Sequence, residues 1–263
     1  MMPARARFLL FCVLVLALPG GLMALGDPRL GDLGKLVLIL SPAVAGLALN
    51  LSLGKRSRPI RWCEVGLAAI ITLTIAGLAL AAALATGAAG FSGQPMTLEG
   101  AAAAVAGALL TSVLEELGWA GSGLALALKA FGRRIGVLIL GLVWAAWHLI
   151  PTFLKVGLFP ELEAAPPLML AVFVIACVIY RELLTRFVER SGTWLGAAAG
   201  HAAPNVLLTA FIALSGLVVL KNTEAWPLFP APGGVVFAVL ALAAVGMLRS
   251  MPGRRDPSMA GEQ

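Results

Sequence analysis

The sequence predicts an all-α polytopic membrane protein of about eight transmembrane helices with both termini cytoplasmic. Three observations lead there. Of 263 residues, 60% are hydrophobic and only 12% charged, whereas soluble domains carry about a quarter charged residues; the mean hydropathy is +0.97. Too little polar surface remains to coat a water-soluble globule, so the solvent is lipid. Apolar windows near helix-spanning length recur along the chain without strand-like alternation, and in lipid only helices and closed barrels satisfy every backbone polar group. The basic residues also segregate by side.

The spans read as 8–25, 36–54, 65–91, 100–128, 135–154, 167–184, 193–220 and 232–248. The sixth is weakest, because the uncharged run PLMLAVFVIACVIY ends at Arg181 after 14 residues. With the N-terminus inside, the inner segments hold Arg5, Arg7, Lys55, Arg56, Arg58, Arg61, Lys129, Arg133, Arg134, Arg181, Arg186, Arg190, Arg249, Arg254 and Arg255. The outer ones hold only Arg29, Lys35, Lys155 and Lys221. An asymmetry of 15 to 4 is what the positive-inside rule requires of eight spans. Omitting the sixth span would put Arg249, Arg254 and Arg255 outside, so it is kept.

The formal charge of +6 is therefore topological, and no nucleic-acid partner is implied. Cys12, Cys63 and Cys177 have no metal-ligand spacing and read as small packing residues. The apolar N-terminal stretch reads as a retained first helix in preference to a signal peptide. The C-terminal MAGEQ has no CaaX cysteine and so no prenylation signal of its own. One transmembrane domain over 1–263 is expected, with a motif-bearing core at about 100–220 and a polar tail at 249–263.

Within the spans the titratable acids and bases reduce to Glu115, Glu116, His148 and His201, with no Lys or Arg deep in any span. One ionised residue at mid-membrane costs about 2.5–3.5 kcal/mol on insertion scales, so such residues mark function. Counted at about 1.5 Å per residue, Glu116, His148 and Asn205 each lie roughly 18–20 Å from the cytoplasmic ends of their helices, and His201 roughly 12 Å. They can share one layer. In WAAWH, Trp144 and His148 share a helical face; in HAAPN, His201 and Asn205 do. Pro204 leaves the carbonyl of Gly200 without its helical donor. Trp119, Trp144 and Trp147 read first as packing or interfacial residues.

A carboxylate and imidazoles around a water make a hydrolytic site, with one Glu as general base and His and Asn groups as oxyanion donors. No HExxH and no serine nucleophile elbow is present. A proton-coupled carrier could use the same groups, but no inverted repeat supports one. No cofactor is required by this reading, although Glu115, His148 and His201 would be chemically apt ligands for a divalent metal such as zinc.

EELGWAG, WAAWHLIP and HAAPN, in that order, resemble the three signature motifs of the CPBP family, the intramembrane proteases that include type II CAAX prenyl endopeptidases. Those motifs are Glu-Glu-x-x-x-Arg, aromatic-x-x-x-His and His-x-x-x-Asn. The resemblance covers about 115–205. It implies a glutamate-dependent intramembrane endopeptidase, named in the family a metalloprotease, in a cell membrane of bacterial type. The substrate would be a membrane-associated peptide or protein, prenylated or bacteriocin-like, approached from a cytoplasmic opening. Glu115 would be the base with Glu116 supporting it, His148 would help hold water, and His201 with Asn205 would stabilise the oxyanion. One position departs: the family arginine falls at Ala120, which cannot pair with Glu116. Glu116 must find another partner, stay protonated or sit in water. The alternative is a degenerate member acting as a membrane binding or immunity protein.

Overall fold

The computed structural model describes residues 2–25, 28–50, 59–91, 93–218, 221, 223–232 and 234–251. Lys55, Arg56, Arg58, Arg254 and Arg255, used in the orientation count, lie outside the described residues, as does the tail from 252.

The chain is an all-α polytopic membrane protein. The first rod joins α1 (Ala4–Cys12), a π-helical segment (Val13–Ala17) and α2 (Leu18–Ala24). It turns Phe8 and Phe11 inward, where they meet Phe131 and Trp119 edge to face. Then follow α3 (Pro28–Asn50), α4 (Trp62–Ala85), α5 (Leu98–Gly118), a π-helical segment (Trp119–Gly123) and α6 (Leu124–Phe153). A short α7 (Pro160–Glu163) precedes α8 (Pro167–Ser191), α9 (Leu195–Ser215) and α10 (Val235–Ser250). Among the described residues six helices are long and apolar enough to cross a membrane, and the shorter α10 is apolar as well. The longest candidate, Leu98–Phe153, breaks at Gly132 (φ 74°, ψ 172°). There the chain folds back, so that Gly136 abuts Ala127 and Glu115 meets Trp144. Large apolar side chains such as Ile70, Leu78, Leu110, Ile175 and Leu242 stay exposed on the outside of the bundle, as lipid contact demands.

Several boundaries differ from the sequence reading for local reasons. The fourth span begins its helix at Leu98 because Thr97 caps it, its Oγ1 accepting from Gly100 N at 3.2 Å. The third ends at Ala85, before Gly87 at φ 74°. The seventh ends at Ser215, because Gly216 turns left-handed (φ 65°) and backs onto Gly93. Residues beyond it form β2 (Leu217–Val218), antiparallel to β1 (Gly90–Phe91). The sixth span is the largest correction: α8 runs on to Ser191, and Arg181 lies inside it at 1% exposure. Arg181 is not a loop residue.

Two prolines bring neighbouring helices together by the carbonyls they free. Pro42 in α3 cannot donate to Leu38 O, which accepts instead from Trp147 Nε1 (3.1 Å) and Ser41 Oγ (2.8 Å). Pro204 in α9 leaves Gly200 O to the Tyr180 hydroxyl at 2.8 Å. Each aromatic donor thus anchors a helix that carries a site residue. Gly118 makes room for the α3–α5 crossing, since a Cβ there would overlap the Pro42 carbonyl.

Candidate active site

Helix α5 delivers the two glutamates in different directions, because successive helical residues point about 100° apart. Glu115 shares its face with Thr111 and Ser112 and lines a cavity of about 380 Å³. Its Oε2 accepts from Trp144 Nε1 at 3.2 Å. Glu116 is fully buried and does not line the cavity. It is clamped by Arg181, whose Nη1 and Nη2 donate at 2.7 and 3.1 Å, the bidentate geometry that suits a carboxylate. Arg181 also stacks over the Trp144 ring at 4.3 Å.

The imidazoles are held through their Nδ1 atoms. His201 Nδ1 lies 2.9 Å from Glu116 Oε1, and His148 Nδ1 lies 2.9 Å from Trp144 O. Both acceptors lack protons, so each Nδ1 carries the hydrogen and Nε2 is the free ring nitrogen. Trp144 packs edge to face against both rings, at 5.3 and 5.4 Å. Asn205 Nδ2 donates to Ser112 Oγ (3.0 Å), which in turn donates to Ala108 O (2.8 Å), a chain that fixes which way the amide faces.

Glu115, His148, His201 and Asn205 therefore line one cavity, and Glu116 stands behind His201. Sequence reasoning missed Arg181, Tyr180 and Ser112, and it undervalued Trp144. Signals for three of them were present. Ser112 precedes Glu115 by one helical turn, Tyr180 is the chain's one tyrosine, and Arg181 sits four residues after Cys177 on a continuous apolar stripe. Trp119 and Trp147 pack as expected.

Two further expectations concern a metal ion and the way into the cavity. Among the described residues no three His, Cys, Asp or Glu side chains are placed to hold a metal together. The cavity also does not open at the arginine-rich end. From buried Glu115 and His201 its lining passes through Phe173 and Leu208 to exposed Glu161 and to Phe229 and Pro232. Glu161 lies on α7, and Phe229 and Pro232 in the connection before α10, at the opposite end.

Fold and site together define a polytopic membrane protein with a buried acid, two imidazoles and an amide around one cavity. Residues 97–207 match the family model of type II CAAX prenyl endopeptidase Rce1-like proteins, so this part of the chain is similar to that family. The members of that family are described as prenyl endopeptidases, so the likeness is to a protease. The matched segment contains all five motif residues and Arg181. No curated protein matches the chain.

Proposed function

We propose that this protein is a glutamate-dependent intramembrane endopeptidase that hydrolyses a peptide bond of a membrane-associated substrate. The observation that carries the reading is the convergence of Glu115, His148, His201 and Asn205 on one cavity whose lining is otherwise mostly apolar, with Thr111, Ser112, Thr209, Tyr180 and Glu161 as its other polar residues. A peptide in that cavity meets a carboxylate fixed by Trp144 on one oxygen, the other oxygen having no hydrogen-bond partner among the described residues. Glu115 takes a proton from a water held by the free Nε2 of His148 as the water oxygen attacks the scissile carbonyl. The carbon becomes tetrahedral and its oxygen negative. Asn205 Nδ2 has a second hydrogen for that oxygen, and His201 adds another donor when its Nε2 is protonated. Glu115 then passes its proton to the leaving nitrogen, the C–N bond breaks, and a carboxyl and an amino terminus result.

Glu116 is a positioning residue in this scheme. Arg181 holds it, and it holds the His201 ring, as carboxylates orient imidazoles in other hydrolytic sites. This supplies the partner that Ala120 cannot: the cation comes from α8 instead of from the turn after α5. The Ala120 departure therefore does not by itself favour a degenerate, non-catalytic member.

The test is cleavage of membrane-anchored peptides by the purified full chain in liposomes, with products read by mass. His201→Ala is expected to abolish product, and Asn205→Ala to slow it roughly 10²–10³-fold, as loss of one oxyanion donor does elsewhere. Wild-type rates in both variants would overturn the scheme.

A further inference from the structure

We infer that the cavity takes its peptide from the extracytoplasmic side of the membrane, so that the substrate is a membrane-anchored protein whose scissile bond lies on that side. The inference rests on the peptidase reading for its chemistry but on separate observations for its direction. One end of the bundle is closed. There Arg133 bridges Glu182 and Glu189 at 2.7–3.2 Å, Arg190 pairs with Glu64, and Arg61 N donates to Ser191 O. Arg5 Nε reaches Ala130 O, which places the start of the first rod at this same end. Between this lattice and the cavity stand the buried Arg181–Glu116 pair and Leu184 and Phe187.

The other end is the one with an opening. The cavity runs out between Glu161 and Leu162 on α7 and the stretch from Phe229 to Pro232. Beside it, β1 and β2 and the contacts Gly93 N to Gly216 O and Met96 N to Ala213 O bind the neighbouring connections into a rim. The basic residues at this end are Arg29, Lys35, Lys155 and Lys221, against a much larger number at the closed end. Basic segments are retained on the cytoplasmic side. Removing Arg181 from the loop tally, as its burial requires, leaves that asymmetry in place. The closed end is thus cytoplasmic, and the rim faces outward. A lipid-modified tail presented from the cytoplasm meets the ion-paired end, none of whose paired residues Arg133, Glu182, Glu189, Arg190 and Glu64 lines the cavity. Glu161, exposed on the rim and without an ion pair among the described residues, gives the entrance a negative group.

The full chain in sealed vesicles of known orientation tests this. A membrane-impermeant maleimide should label Glu161→Cys in right-side-out vesicles, and Arg134→Cys and the native exposed Cys63 only in inside-out ones, the labelled peptide being identified by mass. The reverse pattern overturns the inference. In a second arm, new peptide termini in membrane proteins are mapped in cells producing wild type or Glu115→Gln. Termini that depend on Glu115 should fall on extracytoplasmic segments; termini on cytoplasmic segments overturn the inference even if labelling agrees. Absence of any such termini, with labelling as expected, sustains the outward opening and removes the peptidase reading on which the substrate class rests.

Discussion

Glu115 and Glu116 are neighbours in sequence and occupy opposite kinds of surroundings. On the Glu115 side of α5 there is a cavity and one indole N–H, given to one of the two carboxylate oxygens. On the Glu116 side there is no cavity, and three charge-assisted contacts from Arg181 and His201 engage both oxygens. The same residue type thus becomes a reagent on one face and a scaffold on the other. Roughly 100° of helical rotation is what separates the two roles.

Arg181→Met should break the comparison most severely, because it leaves Glu116 buried without its cation. Breaking a buried pair from one side costs about 3–5 kcal/mol, to be read as lost thermal stability in detergent. Adding Glu116→Leu to Arg181→Met should return most of that stability without restoring cleavage. If Arg181→Met melts like wild type, the clamp has been misjudged. Gly118→Ala strikes the α3–α5 crossing just beyond both glutamates, and forcing a methyl against the Pro42 carbonyl should cost about 1–3 kcal/mol. At Gly121, one helical turn on, an added Cβ would make only ordinary contacts, 3.8–3.9 Å from Glu116 O and the Trp194 ring, so Gly121→Ala serves as the control that should melt near wild type. Smallest is Tyr180→Phe, which removes only the bond to Gly200 O and should cost roughly 1 kcal/mol. Its KM should hold while kcat falls modestly, since the ring that lines the cavity is kept and the lost hydroxyl bond steadies the helix carrying His201 and Asn205. A purely stability effect, with kcat unchanged, would separate Tyr180 from the site.

Much of this was legible in the sequence. Composition gave the membrane, and the isolation of Glu115, Glu116, His148 and His201 among apolar residues pointed to the site. Helical spacing gave the shared faces of Trp144 with His148 and of His201 with Asn205. What stayed hidden depends on which helix faces which. Arg181 follows an apolar run, and a charge after such a run reads equally as the end of a span or as a buried partner. Only the position of α8 against α5 decides between them. The freed carbonyl of Gly200 was foreseeable from Pro204, but not that Tyr180 would fill it. The direction of the opening depends on the same thing: depth along a helix can be counted from either end, and side-chain order alone does not say where the loops part.

The most direct measurement compares cleavage by purified wild type, Glu115→Gln and Glu116→Gln on the same membrane-anchored peptide, with melting temperature recorded for each. The account predicts that Glu115→Gln keeps wild-type stability and loses cleavage by roughly 10²–10⁴-fold, the contribution of a positioned general base. Glu116→Gln should lose stability as well as rate. Undiminished cleavage by a folded Glu115→Gln protein would contradict the claim that this carboxylate activates the water.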